Sequence, residues 1–223
     1  MPLSPTPTAA SPNARRCLVL AALRLFAEKG FDGATTRTIC EMAGANVSAI
    51  RYYFGDKAGL YRAAYTEPMG DMPCHSSLET YANLPLPAAL RLFFREFLEP
   101  LKKGEELRLA MKLRFREMLE PTGAWQEEID AEIKPQHDDL VSMINQHLGL
   151  AEADDDVQRL AFAVIGMGVH FYVGQDVVAT IAPHLLESHA DIDTLADRLA
   201  AYAVAMINSE AQRREETADA TLI

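Results

Sequence analysis

Apolar residues recur along this chain with a helical period. In ARRCLVLAALRLFAEKG, Val19, Ala22, Leu23 and Phe26 fall at i, i+3, i+4 and i+7, the spacing that lines one face of an α-helix. Pro12 after Ser11 opens this segment and Gly30 closes it, as expected of helix start and stop signals. The pattern returns in AALRLFFREFLEPLKKG, where Leu90, Phe93, Phe94 and Phe97 share a side, and again in EELRLAMKLRFREMLEP after Gly104. AWQEEIDAEIKPQHDDLVSMINQHLGL reads as one long helix kinked at Pro135, because a proline inside a helix removes a hydrogen bond and clashes with the preceding turn. A helix over 157–182 is apolar nearly all round, so it must be covered on more than one side. A final helix over 192–214 carries Leu195, Leu199, Tyr202 and Met206 along one face. No run of alternating β-branched residues is bounded by turns, so the predicted fold is all-α.

Two segments break the pattern. MPLSPTPTAASPN, with Pro at positions 2, 5, 7 and 12, reads as a disordered tail over 1–13. PMGDMPCHSSLETYANLPLP reads as a linker or loop.

The stretch TTRTICEMAGANVSAIRYYFGDKAGLY, Thr35 to Tyr61, is more polar and more tightly punctuated than the rest. Thr36 is placed as N-cap of a helix running to Ala43, and Gly44 ends it. Asn46 caps a second helix, Val47 to Phe54, and Lys57 starts a third. Helix, three-residue turn with Gly, helix is the helix-turn-helix arrangement. Ile39 and Ile50 would fill the space between the two helices, with the small Cys40 and Ala43 at the crossing. The second helix then presents Val47, Ser48, Ala49, Arg51 and Tyr52 outward. In such a unit this helix enters the major groove. There Arg reads guanine and small side chains allow close approach. Tyr hydroxyls, Lys and helix N-termini suit phosphate oxygens.

Charge supports this placement. The 223 residues carry a net charge of −11, which by itself argues against nucleic acid. Residues 1–66, however, hold eight Lys/Arg and only four Asp/Glu, a net +4, and the remainder carries −15. Affinity for DNA depends on local neutralisation of phosphates, not on the total. The three cysteines, Cys17, Cys40 and Cys74, are too few and too widely spaced for a disulfide framework or zinc site. No apolar run approaches the ~18 to 20 residues that span a bilayer, and the start lacks the apolar centre of a signal peptide. A cytosolic protein with reduced thiols is expected. The six histidines form no HExxH and no paired Glu-x-x-His motif, and there is no Gly-rich phosphate loop or G-x-S-x-G elbow. Neither catalysis nor a metal or cofactor is expected.

LAALRLFAEKGFDGATTRTICEMAGANVSAIRYYFGDKAGLYRAAY resembles the DNA-binding domain of the tetracycline-repressor (TetR) family. The resemblance covers residues 14–66. It rests on LFAEKGF, on TT before the second helix, on AG in the turn, and on YYFGDKAGLY. The Ala-Asn pair after the turn glycine resembles the CecR-like branch. Arg37, Val47, Ser48, Ala49 and Arg51 then match positions that read bases or line the groove, and Thr36, Tyr52, Tyr53 and Lys57 match positions that touch phosphate. Many members have Tyr where Arg51 stands, and Gly or Pro near Ser48, so the operator sequence does not follow from the resemblance.

The resemblance also implies that 67–223 binds a small effector and forms a homodimer, and that the protein acts on a double-stranded operator as a repressor. Within the chain, helices 157–182 and 192–214 are the candidates for a four-helix dimer interface, a buried core helix being the alternative. Phe93, Phe97, Met111, Phe115, Met118, Trp125, Met167, His170 and Phe171 are candidates for an apolar effector lining. Arg114, Arg116 and Glu117 on one helix are the polar groups that would orient a ligand. Core packing or a solvated face accounts for each of these equally well taken singly. An all-helical carrier, or an enzyme on a helical bundle, whose helix-turn-helix is only structural remains the rival reading.

Overall fold

The computed structural model describes residues 12–69, 78–123, 130 and 133–221. The expected tail up to residue 11, Cys74 and Trp125 lie outside the described residues. All regular elements among the described residues are helical. The residues divide into two compact units, one within 1–71 and 105–124, the other within 72–104 and 125–223.

The first unit contains α1 (Pro12–Gly33), α2 (Thr36–Ala43), α3 (Val47–Phe54), α4 (Lys57–Thr66) and α7 (Glu105–Leu119). The stripe expected on α1 is its core: Leu18, Val19, Ala22, Leu23 and Phe26 are buried. Helices α2, α4 and α7 all pack on α1. The helix stop expected at Gly30 is a break inside α1, with φ 73° there and one further turn to Gly33. Helix α7 contributes Leu107, Ala110, Leu113 and Glu117 to the buried face. Helix α7 therefore belongs to the same compact unit as α1 to α4. Sequence order hides this, because α7 joins α1 and α4 from more than thirty residues downstream.

The second unit holds α5 (Leu78–Ala82), α6 (Leu86–Leu98), α8 (Lys134–Leu148), α9 (Asp155–Val173), α10 (Gln175–Ile181) and α11 (His189–Thr221). Helices α6 and α11 form its main packing pair. Leu90, Phe93, Phe94 and Leu98 from α6 are buried in this unit, as are Leu195, Leu199, Ala203 and Ile207 from α11. Asp154 caps α9, its Oδ1 accepting from the N–H groups of Asp156 and Val157 at 3.1 and 3.0 Å. Arg214 of α11 donates to both oxygens of the same carboxylate. Together these hydrogen bonds hold Asp154 well below the usual carboxylate range.

Two expectations need correction here. The single helix over 157–182 is two helices, α9 and α10, meeting at Gly174 with a bend of 74°. Pro135 lies in the first turn of α8; the kink expected there would involve 124–129 and 131–132, which lie outside the described residues. The segment read as a linker contains α5. No single described helix is long and apolar enough to cross a membrane.

Candidate nucleic-acid interface

The geometry of α2 and α3 follows from their caps. Helix α2 is capped by Thr35, whose hydroxyl accepts from the Thr38 N–H at 3.1 Å. Thr36, expected as the cap, is instead the first helical residue. Both threonines fit the sequence signal, and the one with extended backbone (φ −95°, ψ 146°) takes the role. Gly44 closes α2 at φ 62° and ψ 31°, the left-handed conformation that costs glycine nothing. Asn46 starts α3, its Oδ1 accepting from the Ser48 N–H at 3.0 Å and the Ser48 hydroxyl at 3.1 Å. Asp56 caps α4 by accepting from the Gly59 N–H at 2.8 Å. A side chain at Gly59 would collide with the Phe54 carbonyl oxygen, so this glycine permits the tight passage from α3 into α4.

Packing sorts the side chains of α3. Ile39, Cys40 and Ile50 are buried between the helices, as their spacing predicts, and burial pushes the Cys40 thiol up. Of the other side chains on α3, Val47 is 51% exposed and Tyr52 75% exposed. Ser48 and Arg51 are exposed as well, while Ala49 and Tyr53 are half-buried. Val47, Ser48, Arg51 and Tyr52 thus leave α3 with an accessible face. Among the described residues no carboxylate pairs with Arg51 or Lys57. Arg37 is exposed on α2 and pairs with Glu41 at 3.0 Å, an exposed i,i+4 pair that phosphate or base can displace at little cost. Thr36 is half-exposed beside it.

Lys57 is held in a different way. Its Nζ lies 4.4 Å from the centre of the Phe31 ring, a cation–π contact that orients the ammonium without neutralising it. Arg15 of α1 fastens the far end of α3. Its guanidinium lies 5.1 Å from the Phe54 ring and donates two hydrogen bonds to Glu67, at 2.8 and 2.5 Å. Arg15, Phe31 and Tyr61 went unrecognised as contributors to this region. Phe31 and Tyr61 stand inside the quoted motif, but nothing in their spacing shows that they meet.

The effector candidates are split between the units. Met111, Arg114, Phe115 and Met118 lie on α7 in the first; Phe93, Phe97, Met167, His170 and Phe171 lie in the second. Phe93 is buried and stacks with Phe97 at 6.1 Å. His170 meets Phe171 at 5.8 Å but is exposed, as is Met118. Met111, Phe115, Met167 and Phe171 are half-buried. Arg114 lies 5.4 Å above the Tyr65 ring. Glu117 does not lie on a solvated face; it is buried. Among the described residues no group of three or more His, Cys, Asp and Glu is placed to hold a metal ion.

Residues 18–64 match the family model described as bacterial regulatory proteins, tetR family. Residues 86–208 match the model for the C-terminal domain of the HTH-type transcriptional dual regulator CecR. The chain belongs to the TetR family. Within it, the match over 86–208 places the chain in the CecR-like branch. Its similarity to the dual regulator CecR of Shigella flexneri is 31% identity over 78% of this chain and 82% of that protein. The repressor AcnR of Corynebacterium glutamicum is 40% identical over 27% of this chain and 32% of its own length. Two solved structures are also similar in fold. AibR in complex with isovaleryl coenzyme A and operator DNA superposes with TM-score 0.60 at 20% identity, covering 84% of this chain and 96% of its own. FadR from Bacillus subtilis in complex with stearoyl-CoA gives TM-score 0.57 at 16% identity, covering 86% and 98%. This TetR-family chain is a DNA-binding transcriptional regulator.

Proposed function

We propose that this regulator is a homodimeric repressor that leaves its operator when a small-molecule effector binds. The observation that carries the reading is the outward face of α3, where Val47, Ser48, Arg51 and Tyr52 stand exposed. Arg51, Ser48, Val47, Ala49 and the neighbouring Arg37 read bases or line the groove. Thr36, Tyr52, Tyr53 and Lys57 take phosphates. One helix of this length reads only a few base pairs, so a symmetric pair that reads two half-sites about one DNA turn apart gives the needed selectivity.

Helices within 157–182 and 192–214 supply the dimer contact. Phe162, Val177, Ile181 and Tyr202 are exposed on them, which supports an apolar interface there. The effector acts among the C-terminal helices and changes the position of α4, which is joined to α3 by two residues. The spacing of the two α3 helices then no longer fits both half-sites. An effector achieves this only by preferring the conformation that does not fit; tight binding alone shifts nothing. Because AibR and FadR are each described with an acyl-coenzyme A, thioesters of that class are the first probes to use.

The test is release from DNA. Duplex fragments retained by the purified protein are titrated with isovaleryl-coenzyme A, stearoyl-coenzyme A and free coenzyme A. Release by a thioester, not by free coenzyme A, together with increased expression of the adjoining gene on deletion, is the expected result. Decreased expression on deletion would make the protein an activator, a reading favoured by the description of CecR as a dual regulator.

A further inference from the structure

Glu117 is the one charged residue among the described ones that is buried, with 1% of its surface exposed. It lies in the last turns of α7. Its Oε2 accepts from the Tyr61 hydroxyl of α4 at 2.5 Å. Its Oε1 accepts from the Thr122 N–H at 2.6 Å and the Thr122 hydroxyl at 2.9 Å. A carboxylate out of water persists only where donors replace that water, and losing one donor exposes the full cost of burial. Burial, then Glu117, pushes the Tyr61 hydroxyl up, so it stays a donor.

The contacts continue beyond Tyr61. Its ring meets Phe31 edge-on at 5.3 Å, with planes at 88°. Phe31 carries Lys57 on its face at 4.4 Å. An unbroken path therefore runs from the Glu117 carboxylate through Tyr61 and Phe31 to the Lys57 ammonium. The next side chain on α7 holds α1. Arg116 pairs with Glu120 at 2.9 Å and donates to the Glu28 carbonyl at 3.5 Å, lying against the break at Gly30. Chain order adds a second observation. Helices α1 to α4 are consecutive, but α7 is preceded by 72–104 and followed by 125–223, both assigned to the other compact unit. Any displacement passed along the chain from that unit reaches the first unit through α7 or through the end of α4.

We propose that Tyr61 and Glu117 are positioning residues for DNA binding: their hydrogen bond fixes the Phe31 face on which Lys57 is offered to a phosphate, and a shift of α7 that breaks it withdraws that contact. This inference rests on the reading of Lys57 as a phosphate contact. A hydrogen bond to a buried carboxylate suits the role because partial separation leaves the charge short of a donor. The two helices therefore favour one of two discrete arrangements over a continuum.

A double-mutant cycle tests it. Genomic duplexes recovered with the unsubstituted protein are titrated with that protein, with Tyr61→Phe, with Lys57→Ala and with the double substitution, across salt concentrations. Thermal melting confirms that each variant is folded. Tyr61→Phe keeps the ring on Phe31 and removes only the donor. It is expected to weaken binding and to lower the salt slope toward that of Lys57→Ala, itself lower by about one. In the double variant the two effects should overlap by about threefold or more. Glu117→Gln, of equal size, should act in the same direction and serves if Tyr61→Phe melts early. The proposal is overturned if the unsubstituted protein binds but the two losses simply multiply, or if both Tyr61→Phe and Glu117→Gln leave affinity and slope unchanged. If the unsubstituted chain retains no duplex at all, the DNA-contact reading of Lys57 fails, and this inference with it.

Discussion

Arg51 is the residue whose role is most sharply exposed to test. It stands outward on α3 with no carboxylate beside it among the described residues, one helical turn from the exposed Val47 and Ser48. In the proposed role Arg51 would form a bidentate pair with guanine, worth ~1–3 kcal/mol of discrimination. Arg51→Ala should lose about that much on preferred fragments and little on mixed-sequence duplex, as read by competition binding. Equal losses on both would make Arg51 a phosphate contact instead. This position was legible from the sequence because Ile39 and Ile50 fix which side of α3 faces inward. Glu117 was not legible. On a helix written EELRLAMKLRFREML, a glutamate among arginines reads as surface. Only the approach of Tyr61, 56 positions earlier, makes it a buried acceptor.

Helices were read with uneven success, and the cause differs in each case. The ends of α2, α3 and α4 are set by local groups, by Thr35, Asn46 and Asp56 accepting from N–H groups two or three residues on. Such ends are visible in sequence to within one residue, as the Thr35 and Thr36 ambiguity shows. The bend between α9 and α10 falls at Gly174, and an apolar sequence with several glycines does not show at which of them it falls. Membership of α7 in the first unit is a matter of tertiary contact alone. Because the Asn46 cap is local, its loss should be local too. Asn46→Ala should cost about 1 kcal/mol of stability in chemical denaturation, and should weaken duplex binding by a further amount as the start of α3 frays. Unchanged denaturation would show that α3 is held by packing rather than by its cap.

At the scale of the whole molecule, the proposed function depends on uneven charge and on a symmetric pair. A net −11 protein can approach DNA because residues 1–66 hold few of its acids and carry +4 while the remainder carries −15, and long-range repulsion from the rest should sharpen orientation on encounter. Sequence sufficed for the family, since the motif is contiguous. The effector candidates come from helices far apart in sequence and fall in both units, a division that the sequence does not show. The most direct test of DNA recognition through α3 is enrichment of genomic fragments on the purified protein, followed by footprinting over a range of salt. The expected result is a small set of related fragments, each with two protected half-sites about one turn apart, bound with an affinity that falls steeply as salt rises. Failure to enrich any fragment, or enrichment indifferent to both sequence and salt, would contradict it.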